Sequence, residues 1–396
     1  MNANLSLDAI LDGLEPTLTA WRRDLHAHPE TAFEEHRTAA FVAEKLTEFG
    51  LDVVTGIAKT GVVATLRCGS GNKAFGFRAD MDALPLQEEN TFSYRSRHAG
   101  KMHACGHDGH TTMLLGAAKI LAESRTFDGT LHFIFQPAEE NEGGARVMLE
   151  ERLLERFPMQ AVFGMHNLPG LPIGEFAINK GSYMASCNCF ELEIIGKGAH
   201  AALPEQGVDP IVIGSQIVQA YQSLLTRMKS AQKPAVVSIT QFNAGNALNV
   251  CPATATIKGS CRSFDADLDF WIEKQLAGIA NSLCAAFGAE CRFSYRKQYP
   301  VLKNHDEPTA IAVEVAKSLV GEHGVNAAFP PVMGSEDFAF FLERLPGSYI
   351  FIGNGLHDAE ATTACMLHNP GYDFNDKILT MGAKYWLALA HRLFES

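Results

Sequence analysis

Leu7, Ile10, Leu11, Leu14, Leu18, Trp21 and Leu25 recur at the spacing of one helical face, so the chain opens with an amphipathic helix. His28-Pro29 ends it, because the residue before a proline avoids helical geometry. A second helix is expected over 34–49, stopping at Gly50. Apolar runs at 61–67, 74–78, 130–135 and 161–165 read as strands, with helices at 107–124 and 143–151 among them. Such alternation predicts a mostly parallel sheet with helices packed on its faces. From residue 185 the order changes to strand 190–195, helix 209–228, strands 236–242 and 253–264, helix 267–287 and strand 290–296. That is the β-α-β-β-α-β order of a ferredoxin-like unit. After residue 299 the first pattern returns, with helix 308–320, strand 349–352 and helix 376–394. The expected fold class is therefore α/β: a discontinuous main domain, 1–184 and 298–396, with a compact α+β domain inserted at 185–297.

Composition narrows the function classes. The chain has 396 residues, 46% hydrophobic and 20% charged, with a formal charge of -12 and no Lys/Arg block. A nucleic-acid partner and an anionic membrane surface are thereby disfavoured. No apolar run is long enough to span a bilayer, and Asp8, Asp12 and Glu15 interrupt any secretory leader. Nine scattered cysteines suit reduced thiols better than a disulfide framework, so a cytoplasmic protein is expected.

Candidate chemistry collects at strand ends. Cys105 and His107 lie in Met102-His103-Ala104-Cys105-Gly106-His107-Asp108-Gly109-His110, a glycine-loosened turn before a helix. The pair suits either a metal or a thiol nucleophile with an imidazole base. A nucleophilic pair needs no acid doublet and no remote histidines, yet both occur. Glu139-Glu140 follows a strand and a proline, and adjacent side chains there diverge. One acid can bind metal while its neighbour handles a proton. His166 closes Gly164-Met165-His166-Asn167, and His368 precedes Asn369-Pro370. Cys105, His107, Glu140, His166 and His368 are too many for one tetrahedral zinc and suit two metals sharing a bridging water. His103 and His110 read as packing or supporting residues. Asp82, in Arg78-Ala79-Asp80-Met81-Asp82, is placed to orient a ligand histidine. In the inserted domain, the glycines of Gly196-Lys197-Gly198-Ala199-His200 present His200 outward, suited to an oxyanion. Arg262 suits bidentate capture of a carboxylate, and Asn249 flanks the same strand pair.

Taken together these segments resemble the M20 metallopeptidases, in their amidohydrolase branch. The resemblance runs from R-R-D-L-H-A-H-P-E at 22–30 and F-R-A-D-M-D-A-L-P at 77–85 through M-H-A-C-G-H-D-G-H-T at 102–111 and Q-P-A-E-E at 136–140. It continues in G-M-H-N at 164–167, G-K-G-A-H-A-A at 196–202, G-S-E-D-F at 334–338 and L-H-N-P at 367–370. It implies a zinc-peptidase-like catalytic domain carrying a lid and dimerisation domain. It implies two divalent metal ions per subunit (manganese, zinc, nickel or cobalt) on Cys105, His107, Glu140, His166 and His368, with Glu139 as general base and acid. It also implies a substrate carboxylate gripped by Asn249 and Arg262, His200 reaching a neighbouring subunit's site, and a homodimer or homotetramer through the inserted domain. The wider family carries a ligand histidine where Asp80 stands and an aspartate bridge where Cys105 stands; this chain keeps the branch pattern, so Asp80 is left out of the ligand set. The implied reaction is hydrolysis of an N-acyl-L-amino acid. The alternatives are a dipeptidase, an N-acetyl-diaminopimelate-type deacetylase, or a metal-binding relative without catalysis.

Overall fold

The computed structural model describes residues 7–355 and 365–395, with side chains from Ala9 onward. Contacts divide the chain into two compact units: Met1–Gly181, Lys303–Pro330 and Phe340–Ser396 form one, and Ser182–Leu302 with Pro331–Ala339 the other.

The larger unit opens with helices α1 (Leu7–Ala27) and α2 (His36–Glu48), then strands β1 (Asp52–Ile57), β2 (Gly61–Cys68) and β3 (Ala74–Asp80). Next come α3 (His107–Ser124), β4 (Gly129–Gln136), α4 (Gly144–Glu150), α5 (Leu153–Arg156), β5 (Ala161–Pro169) and β6 (Phe176–Ala177). Strand β1 went unread in the sequence because it is a half-exposed edge without a clean alternation. The N-terminus of α2 is satisfied from upstream: the Glu30 carboxylate accepts the N–H groups of Arg37 and Thr38 at 3.0 and 2.8 Å.

The smaller unit contains β7 (Cys187–Ile195), α6 (Pro210–Ser223), β8 (Ala235–Ala244), β9 (Thr254–Ser263), α7 (Ala266–Ala286) and β10 (Glu290–Tyr299). Its sheet order is β8-β9-β7-β10, antiparallel throughout, as a ferredoxin-like unit requires. Both helices start on aspartate caps: Asp209 accepts from Ile211 N–H, and Asp265 from the N–H groups of Asp267 and Leu268. Residues 331–339 join this unit through Ala185 N–H, which reaches the carbonyls of Val332 and Gly334.

The chain then returns to the larger unit as α8 (Asp306–Val320), β11 (Val325–Asn326), β12 (Gly347–Gly355) and α9 (Leu379–Phe394). The eight-stranded sheet runs β1-β2-β4-β3-β5-β12-β6-β11. Its centre, β4-β3-β5-β12, is parallel, and antiparallel pairs occur only toward the margins. Strand β4 is buried at every position, and Phe77, Phe133, Phe163 and Trp386 pack into one aromatic core. A parallel centre places the carboxyl ends of β3, β4 and β5 on one rim, where open α/β sheets bind their ligands. Strand β5 runs further than the apolar run suggested. Its pairing with β12, Phe351 opposite His166 and Ile352 opposite Asn167, keeps both polar residues inside the strand.

Gly259 on β9 stands opposite Ile239, at the position where β8 bulges. A Cβ there would lie 2.2 Å from the Ser238 carbonyl and 2.6 Å from the Phe190 ring. Gly259→Val is expected to destabilise the smaller unit by about 1–3 kcal/mol. A urea titration followed by fluorescence of Trp271, on α7, measures it; an unchanged midpoint rejects the close-packing argument.

Candidate metal centre

The rim residues converge through a short loop. Gly106 turns the chain at φ +93°, and a Cβ on it would lie 2.2 Å from Asn167 Oδ1, so only glycine lets Cys105 and His107 flank this turn. Helix α3 begins at His107. The His107 ring turns Nδ1 to Asp82 Oδ1 at 3.3 Å, and its Nε2 is buried without a hydrogen-bond partner. His166 donates from Nδ1 to the Asn167 carbonyl at 2.7 Å, which leaves Nε2 as an acceptor facing Cys105 Sγ at 3.4 Å. In both rings one nitrogen is held from outside the cluster and the other faces into it, the arrangement a metal-ligating imidazole requires. His368, itself at φ +62°, brings Nε2 to 3.0 Å from Glu140 Oε1.

Two donor triples result. Ligand atoms of Cys105, His107 and His166 lie within 4.8 Å of one another, as do those of Cys105, Glu140 and His368. Cys105 belongs to both. A third group, His107 with Glu139 and Glu140, places Glu139 against the same cluster, and Glu139 is 6% exposed.

The electrostatics fit a cation. Burial pulls the His107 pKa down, but Asp80, Asp82 and Glu140 override it and hold the ring protonated up to about 10. Burial, then Glu140, Glu139 and Asp80, push the Cys105 thiol well up. Burial and His110 push His166 well down, so its ring is neutral. The cluster therefore carries more negative charge than its own side chains neutralise, and a divalent cation answers that excess. A thiol raised in this way lacks the electropositive surroundings of a catalytic cysteine, which disfavours the nucleophile reading.

The supporting residues are equally defined. Asp80 is already engaged, by Arg78 Nη1 at 2.7 Å and His110 Nδ1 at 2.6 Å, and His110 Nε2 meets Asn167 Oδ1 at 2.8 Å. Asp82 does more than orient His107: its two oxygens accept the backbone N–H groups of Glu139 and Glu140 at 3.0 and 2.9 Å. His200, Asn249 and Arg262 belong to the smaller unit. His200, exposed on the two-residue strand Ala199–His200, accepts the Ala202 N–H on Nδ1 at 3.1 Å. It shares with Asn249 a shallow depression of about 800 Å³ that Arg262 does not line. Half-buried Arg262 donates from Nη1 to the Met333 carbonyl at 3.0 Å and to Ser335 Oγ at 3.2 Å.

Reading the residues one at a time missed a buried ion network behind the loop. Arg22, fully buried on α1, donates to Asp376 at 2.6 Å, Asp373 at 3.0 Å and the Phe374 carbonyl at 2.7 Å. One turn on, His26 sits between Asp108 Oδ2 at 2.8 Å and Glu88 Oε1 at 3.1 Å, so both ring nitrogens face carboxylates. The signals were two polar residues at i and i+4 on the apolar stripe of α1 and their place in the R-R-D-L-H-A-H-P-E segment at 22–30. Asp108 directly follows His107, so this network braces the loop from behind.

A parallel α/β sheet with thiol, imidazole and carboxylate donors buried at its strand ends, together with a ferredoxin-like insertion, is the architecture of an α/β metallopeptidase. The chain belongs to peptidase family M20/M25/M40, whose sequence model matches residues 76–392. It is 44% identical over 369 residues to hippurate hydrolase from Campylobacter jejuni, covering 93% of this chain and 94% of that one. It is 37% identical over 378 residues to N-acetylcysteine deacetylase from Bacillus subtilis, covering 95% and 96%. Among solved structures, the Bacillus subtilis YXEP protein, a dinuclear metal-binding peptidase of the M20 family, superposes with a TM-score of 0.83 at 33% identity, covering 96% of this chain and 98% of that one.

Burial alone would pull His26 down, but Asp108 and Glu88 raise it from 6.5 to about 9. A raised folded-state value means that the bridge contributes in full below about pH 6.5 and is lost as pH climbs through about 9. In the metal-free protein, His26→Gln is expected to cost on the order of 3 kcal/mol at pH 6, with the gap to wild type closing by pH 10. Urea midpoints across that range measure it; a constant gap rejects the charged bridge.

Proposed function

We propose that this chain is a metal-dependent amidohydrolase that cleaves the amide bond of N-acyl amino acids, giving a carboxylic acid and a free amino acid. The observation that carries the reading is the pair of donor triples sharing Cys105, with Glu139 against them. The hippurate and N-acetylcysteine relatives act on such amides and match this chain nearly end to end. Cys105, His107 and His166 would hold one divalent ion, and Cys105, Glu140 and His368 the other. A thiolate in the set favours zinc, cobalt or nickel over magnesium. Bound there, the metals supply Lewis acidity for the acyl carbonyl and lower the pKa of the attacking water.

The protein's own groups do the rest. Glu139 takes the proton of the attacking water and returns it to the leaving nitrogen, and Asp82 keeps Glu139 aimed by holding its backbone N–H. In the smaller unit, the presented imidazole of His200 is the candidate donor to the developing oxyanion, and Asn249 and Arg262 are the candidate grips for the substrate carboxylate. The same unit is the candidate dimerisation surface. Strand β8 is an edge, it exposes Val236 and Phe242, and Ile211, Val212 and Leu248 are exposed in the same unit. Among the described residues no helix is long and apolar enough to cross a membrane, and all nine cysteines are free, which supports a cytoplasmic setting.

The deciding experiment is hydrolysis of N-benzoylglycine and a panel of N-acetyl amino acids after chelation and reloading with manganese, zinc, cobalt or nickel. Turnover that disappears with the chelator and returns with metal is expected; no turnover on any substrate with any metal rejects the reading. Glu139→Gln is expected to keep its metal content and lose about 10²–10⁴-fold in kcat. Phe242→Glu is expected to shift the chain toward monomer in light scattering, and an unchanged mass would move the interface elsewhere.

A further inference from the structure

Glu35 is a fully buried acid for which the mechanism above has no use. It stands immediately before α2 but does not cap that helix with its side chain, a task Glu30 performs. Its carboxylate instead crosses 103 residues of sequence to accept the Ala138 N–H on Oε1 at 2.9 Å. The same oxygen accepts Phe33 N–H at 3.0 Å, and Oε2 accepts the Thr60 hydroxyl at 2.5 Å. Ala138 is held at φ +55°, in the left-handed region that a residue with a Cβ enters only against steric strain. Phe33 at φ +60°, and Ala58 and Lys59 just before Thr60 at φ +49° and +71°, show the same strain. The three segments Glu35 binds are thus the strained segments of this corner.

Ala138 immediately precedes Glu139 and Glu140. Asp82 fixes the amides of those two, and the Ala138 carbonyl accepts Gly144 N–H at 2.9 Å. The Ala138 N–H is anchored by Glu35. We propose that Glu35 is a positioning residue: by holding the Ala138 amide it keeps that residue left-handed and thereby aims Glu139 and Glu140 at the metal cluster. Burial and the nearby Asp82 push the Glu35 carboxyl up to about 7. The clamp survives that proton, because Oε1 still accepts both amides while Oε2–H turns to the Thr60 oxygen. Glutamine reproduces this arrangement, with its carbonyl on the amides and its NH₂ on Thr60; leucine and aspartate do not.

The inference rests on the reading of Glu139 as proton carrier, and its first test is independent of that reading. Hydrogen exchange of the metal-free protein is followed at the amides of residues 138–140. Glu35→Leu is expected to speed exchange there by about 10-fold or more while the rest of the larger unit stays protected. Glu35→Gln is expected to match wild type. With manganese and N-benzoylglycine, Glu35→Leu is expected to lose about 10- to 100-fold in kcat with little change in KM, and Glu35→Gln is expected to keep both, with an unaltered pH profile. Should Glu35→Leu not fold, Glu35→Asp, one methylene short of Ala138, gives the same readouts. Wild-type protection at 138–140 in the leucine or aspartate variant overturns the proposal, as does a uniform rise in exchange across the unit, which marks a merely structural acid. A wild-type chain inactive on every N-acyl amino acid removes the functional reading and leaves the exchange result to decide this one.

Discussion

Buried negative charge at one rim of the sheet is the constraint on which the rest of the structure depends. Asp80, Asp82 and Glu139, at or just past the ends of β3 and β4, and Asp108, in the first turn of α3, are almost wholly removed from solvent. Burying an unpaired carboxylate costs several kcal/mol, so each needs a partner. The fold answers in two ways. Behind the loop it supplies its own cations: Arg78 against Asp80, and Arg22 and the protonated His26 ring against Asp108. At the centre, Cys105, Glu139 and Glu140 gather around a His107 whose Nε2 has no hydrogen-bond partner. Intrinsic cations build the frame, and the remaining deficit defines where an extrinsic one belongs.

That division explains what the sequence disclosed. The ligand candidates were legible because thiol, imidazole and carboxylate residues are rare at the ends of apolar strands, and an α/β sheet gives those ends one address. The βαββαβ order of the insertion was legible for a similar reason: its helices carry their own aspartate caps and its strands their own apolar runs. What stayed hidden depends on pairing across the chain. Arg22 and His26 look like ordinary polar interruptions of a helix until Asp108, Glu88 and Asp376 are placed beside them. Glu35 meets its partner 103 residues away, and no periodicity encodes that. Edge strand β1 escaped because half-exposed strands carry no strict alternation, and the extension of β5 through His166 and Asn167 depends on β12, nearly two hundred residues later.

Asp82 shows why one position can carry more than one requirement. Its Oδ1 faces both His107 Nδ1 and the Glu139 N–H, and its Oδ2 takes the Glu140 N–H. One carboxylate thus orients the His107 ring and fixes the direction of both Glu139 and Glu140. Asparagine would offer a single accepting oxygen and an NH₂ group in place of the other, so it would turn a donor toward one of these donors. The aspartate is demanded by hydrogen-bond bookkeeping even before any metal is considered.

The cysteine at the shared position carries a chemical consequence. A carboxylate there would offer two oxygens to two ions, whereas Cys105 offers one soft sulfur, and in the metal-free protein that sulfur keeps its proton. On the proposed ligand set, binding would have to displace a proton from sulfur and, in the same event, the proton that Asp80, Asp82 and Glu140 hold on His107. Metal affinity would then depend steeply on pH, and the dependence would favour ions whose bond to thiolate repays the deprotonation. The same acids that would make the site attractive to a cation make it attractive to protons, so in the proposed centre the two would compete directly.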